Sequence, residues 1–154
     1  MTEPVGDLHI DDFCKDSAKA LLMLFRRFPI KTTLYVEDIS GPDTPDEFGL
    51  HNPRFNACFS TLIWLKDADY IHFTSLVKQE AVEDATLTHR TFSLLTGYDH
   101  DFPNAEPLTP AGPIPGRCHP TRRIDHLKRA LTEATSDDLK SLVLRYMLES
   151  RDFT

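Results

Sequence analysis

Positive charge is in short supply in this chain. Seventeen Lys and Arg stand against 24 Asp and Glu, a net charge of −7. Proteins held on nucleic acid by counterion release usually carry the opposite balance. The shortage is uneven: residues 1–52 hold ten acids against five bases, and residues 102–154 hold seven against eight. Cysteine is scarce as well. Cys14, Cys58 and Cys118 are scattered and odd in number, which argues for free thiols in a reducing, cytoplasmic setting and against a disulfide framework. No apolar run approaches the ~18–20 residues of a membrane-crossing helix. The acidic stretch at residues 1–12 lacks the basic-then-apolar form of a secretory signal. Association with a membrane is therefore not expected.

Catalytic signatures are missing too. There is no HExxH, no Gly-rich phosphate loop, no nucleophile elbow and no convincing carboxylate pair. Cys118 and His119 with His126 have neither the spacing nor the fourth ligand of a structural zinc site. No enzyme, metal or cofactor is expected.

What remains is an ordinary globular composition, 40% hydrophobic and 27% charged, in 154 residues. That length suits one domain with an accessory element. The first periodic segment, residues 12–28, repeats Cys14, Ala18, Leu21, Leu22, Leu24, Phe25 and Phe28 at helical spacing, and Pro29 ends it. Residues 31–39 are β-branched and aromatic, suiting a strand or a strand leading into a brief helix. A Pro/Gly-punctuated loop follows at residues 40–51. Asn52 and Pro53 form a helix start, because Asn caps free amides and Pro gives up an N–H that has no partner there. The helix over residues 53–66 buries Phe55, Cys58, Phe59, Leu62 and Leu65. Residues 70–76 and 81–87 pair as strands across residues 77–80. Thr88 caps a short helix that Gly97 stops.

Six of the eleven prolines fall in residues 102–120, which read as a linker. Two helices follow, over residues 122–134 and from a Ser136 cap to about residue 150. The second is apolar on two sides: Leu139, Leu142, Val143, Tyr146 and Met147 on one, Leu144 and Leu148 on the other. A helix of that kind needs two neighbours, and a second copy of the chain can supply one. The expected organisation is a tail at 1–11, a domain at 12–101, the linker at 102–120, and a helical pair at 121–154 as candidate dimerisation element.

The order helix, short strand or helix, helix, hairpin, helix resembles the winged-helix superfamily. The local match lies in residues 59–71 (FSTLIWLKDADYI), similar to a recognition helix running into the first wing strand. A second lies in residues 85–88 (ATLT), similar to the exit from the last wing strand. Asp69 stands where the family usually has Gly, at a turn that often needs positive φ, which Asp tolerates. The resemblance implies an α+β, mainly α fold: a winged-helix core with a two-stranded β-wing and a C-terminal helical extension. It also implies a dimeric transcriptional regulator binding double-stranded DNA, with Arg54, Asn56, Ser60 and Thr61 on the reading helix and Lys78 on the wing.

The alternative is a winged-helix module that binds protein. Lys78 is the wing's only base against Glu80, Glu83 and Asp84, so the acidic wing suits a protein partner better than phosphate. Trp64 lies nearly opposite the core stripe of its helix. It reads as a residue packed beneath the 40–51 loop or the C-terminal helices, or as a protein-contact anchor together with Leu144 and Leu148.

Overall fold

A computed structural model describes residues 8–43, 45–99 and 121–153. The 102–120 linker, with Arg117, Cys118 and His119, lies outside the described residues, as do residues 1–7. The elements are α1 (Leu8–Arg27), β1 (Thr32–Tyr35), α2 (Val36–Ser40), α3 (Pro53–Asp67), β2 (Ile71–His72), β3 (Ser75–Val77) and β4 (Ala81–Leu87). There follow α4 (His89–Thr96), α5 (Arg123–Glu133) and α6 (Ser136–Glu149), with a 3-10 turn at Ser150–Phe153. The fold is α+β. No helix among the described residues is long and apolar enough to cross a membrane.

The small antiparallel sheet has β4 at its centre. β1 pairs along one edge of β4, while β2 and β3 follow each other along the opposite edge. The strand expected over residues 70–76 is thus broken at Phe73–Thr74. Asp84 on β4 takes the left-handed backbone conformation (φ 58°), and its carboxylate accepts a hydrogen bond from Thr74 Oγ1 at 2.8 Å. Phe73 turns into the core at the same point, 4% exposed. An Asp tolerates that backbone at modest cost, and the sheet bends there.

Asp69 also takes positive φ (64°), in the turn between α3 and β2. Gly97 ends α4 with extended backbone (φ −70°), so its value is not conformational. A Cβ there would come within 2.7 Å of Arg123 Nη1. α6 is capped by Thr135 and not by Ser136: Thr135 Oγ1 accepts from Asp138 N at 3.2 Å. α1 begins at Leu8, ahead of the expected residue 12, because Ile10 and Phe13 find apolar cover against the core.

α1 is the hub of the packing, covered by α3 on one side and by α5 and α6 on another. Ala18, Leu21, Leu22 and Leu24 share one apolar core with Leu62 and Leu65 of α3, Leu127 of α5, and Leu142 and Val143 of α6. The C-terminal helices therefore pack in cis on the rest of the chain. Lys140 of α6 reaches Asp11 of α1 at 3.2 Å, tying the first helix to the last.

The start of α3 is fastened twice. Asn52 Oδ1 accepts from Phe55 N at 2.8 Å, and Asn52 Nδ2 donates to Asp43 Oδ1 at 2.7 Å. Asp43 also holds His51, whose ring stacks on Phe55, so the 40–51 loop is pinned to the helix. Asn52→Ala removes the cap and one loop tie together. Its expected effect is a loss of about 1–2 kcal/mol, read as a lower urea midpoint at unchanged slope.

Candidate functional site

The residues expected to read DNA are dispersed among different roles. Arg54 turns back onto α1: Nη1 and Nη2 each donate to Asp16 at 2.6 Å, and Nε lies 3.6 Å from Asp12. Asp16 is fully buried. The hydrogen bond that Arg54 donates to Asp16 raises the Arg54 pKa further, over the opposing effect of burial. Bidentate guanidinium–carboxylate pairing consumes the donors a phosphate or guanine would need. Thr61, expected on the open face, is 6% exposed, and its hydroxyl donates to Ala57 O one turn earlier at 3.0 Å. Asn56 and Ser60 are exposed, and Lys78 sits exposed at the hairpin tip with φ 50°. The remaining cation of α3, Lys66, lies over the Phe73 ring at 4.6 Å.

The second expected set comes together. Trp64 stays 45% exposed near the end of α3, edge-on to Phe13 of α1 (5.1 Å) and stacked on Tyr70 (5.9 Å). It lies beside the C-terminal helix and away from the 40–51 loop. Leu144 and Leu148, 44% and 59% exposed, are one turn apart on α6 and face the same groove as Trp64. The groove encloses about 430 Å³, and its rim carries Arg90 and Arg151 with no acid among its lining residues. On the other side of Trp64 a second groove of about 510 Å³ runs between α1 and α3, lined by Ile10, Phe13, Ala57 and Ser60. The indole is the wall the two grooves share.

Tyr70 is the fixed floor. Its hydroxyl donates to Met147 O at 3.3 Å and shares a hydrogen bond with Ser150 Oγ at 2.9 Å. Arg90 lies over its ring at 4.4 Å and donates to Ala68 O, which holds that guanidinium at the groove edge. Arg90 and Arg151 have no carboxylate partner among the described residues.

Outside the groove, a buried carboxylate holds α6 through Arg145 and Tyr146. Asp99 is 0% exposed and accepts from Arg145 Nη1 and Nη2 at 2.8 Å each, from Tyr146 Oη at 2.6 Å, and from His126 Nδ1 at 2.9 Å. Burial alone would raise its pKa. The hydrogen bonds from Arg145, Tyr146 and His126 outweigh burial and hold it well below the ordinary carboxylate range. Burial, with the hydrogen bond to Asp99, pushes the Tyr146 phenol up. With Arg145 and Tyr146 pulled to one side, Leu144 and Leu148 point to the other. Arg123 is 8% exposed and spent on Glu149 (2.9 Å) and Leu94 O (3.1 Å).

Nucleophilic chemistry has little to work with at Cys14 and Cys58. Burial pushes the Cys14 thiol up to about 11 and the Cys58 thiol to about 12, so both stay protonated at neutral pH. Among the described residues no group of three or more His, Cys, Asp or Glu could hold a metal ion.

Composition and spacing did not mark Arg90, Arg151, Tyr70 or Phe13 as members of a site. Each looked local, and only the packing of α1, α4 and α6 around Trp64 assembles them. The chain matches no family, no curated protein and no solved structure.

Proposed function

We propose that the chain is a winged-helix module that docks a protein partner on the Trp64 surface and does not read DNA. The winged-helix assignment is supported by element order and by a sheet in which β4 lies between β1 and the β2–β3 edge. One observation carries the docking role: Trp64, Leu144 and Leu148 line one open groove, while Arg54 is tied off by buried Asp16. Trp, Tyr and Arg are the residues enriched at interface centres, and the exposed leucines add apolar area beside them. Groove reading would ask α3 for free cations, and its two, Arg54 and Lys66, are turned to the protein's own groups.

The test has two arms. Mixed duplex DNA at low ionic strength, where non-specific binding is strongest, is expected to show no retention. Protein captured in stoichiometric amounts by the immobilised chain is expected to be lost with Trp64→Glu/Leu148→Glu, a pair of changes at exposed positions. Duplex binding that weakens steeply with salt, or capture indifferent to the double variant, would overturn the proposal.

A further inference from the structure

The Trp64–Leu144–Leu148 groove is a basic-rimmed site on an acidic protein. Its lining includes Arg90 and Arg151 and no carboxylate, although the chain as a whole carries −7. An occupant that fits must bring apolar bulk flanked by negative charge. The sheet offers that combination. Tyr35 of β1 and Val77 of β3 are both in register with Ala81 of β4, which places them side by side on one face. They are 51% and 36% exposed, and Ala81 is buried between them. Glu83, two residues along β4, stands on the same face, with Glu80 in the adjoining turn. Glu83 accepts from Ser75 Oγ at 2.9 Å, and among the described residues no cation pairs with Glu80, Glu83 or Asp84.

Building on the docking role proposed above, we infer that the partner is a second copy of this chain: its Tyr35–Val77 sheet face seats in the groove, with Glu80 and Glu83 against Arg90 and Arg151. A contact of groove against groove is disfavoured, because it would set arginines against arginines. Seating the sheet face of each copy in the groove of the other satisfies both surfaces at once and closes a two-fold dimer. Lys78, exposed in the turn beside Glu80, is a base that would approach the arginines.

Complementary charge reversal tests this directly. The wild-type mass by light scattering is expected to rise from 17.6 kDa toward twice that value between micromolar and millimolar concentration, and to fall back as salt is added. Arg151→Glu alone and Glu83→Lys alone, both at exposed positions, should each weaken association by about tenfold or more. An equimolar mixture of the two variants should regain wild-type association, because every reversed contact then meets its complement. A mass of 17.6 kDa at every concentration overturns the inference, and so does self-association indifferent to both reversals. A monomer that still loses a captured protein with Trp64→Glu/Leu148→Glu would sink only the second-copy partner. Salt-sensitive duplex binding would sink the docking role itself.

Discussion

Asp99→Ala is expected to cost about 3–5 kcal/mol, a large part of the ~5–15 kcal/mol that holds a domain folded. Asp99 is enclosed, and its carboxylate receives four hydrogen bonds from Arg145, Tyr146 and His126. Its removal leaves a guanidinium partly buried over a cavity, with Glu149 at 3.2 Å as its remaining carboxylate among the described residues. Asp99→Asn keeps the volume and loses the charge, so it isolates the electrostatic part. Because the folded pKa is depressed, the ionised carboxylate stabilises fully above the unfolded value near ~3.9. That stabilisation disappears as pH falls through the unfolded pKa toward the folded one. Urea midpoints of the wild type should therefore drop more steeply than those of Asp99→Asn below about pH 5. Parallel curves would show that the carboxylate is not the charged anchor of α6.

Arg54→Ala is the second large effect, about 3 kcal/mol, toward the low end for a broken buried pair because Arg54 itself keeps about a third of its side chain in water. The loss comes from what stays behind: Asp16 would be left buried without its bidentate partner. Adding Asp16→Asn to Arg54→Ala should restore part of the stability, since a neutral amide is cheaper to bury than a lone carboxylate. A surface arginine serving only as a nucleic-acid contact would change stability by no more than about 0.5 kcal/mol when truncated. Urea unfolding of the two single variants and the double variant separates the cases.

Local chemistry carried far in this chain, and distant pairing set its limit. The α3 start was legible because Asn52 and Pro53 act within one turn, and Asp69 because its backbone demand is its own. The hairpin was legible from alternation, yet its break at Phe73–Thr74 depends on Asp84 across the ladder. Arg54 looked free because its partner lies 38 residues away on a neighbouring helix. Asp99 drew no notice in the sequence because the side chain it anchors, Arg145, is 46 residues distant. Thr61 looked open because a single helix stripe takes no account of α1 packing beside α3. Trp64, Leu144 and Leu148 were each noticed for facing away from their own helix's core, and period alone could say that much. That they meet is a property of how α6 is rotated.

The seating of α1 against α6 also has a consequence in time. A ribosome adds on the order of 5–20 residues per second. α1 is complete at Arg27, but α6 begins only at Ser136, so the face of α1 that α6 covers stays open for on the order of ten seconds. Through that interval Leu21 and its apolar neighbours have only the elements already synthesised to cover them, and the arrival of α6 closes that side of the core.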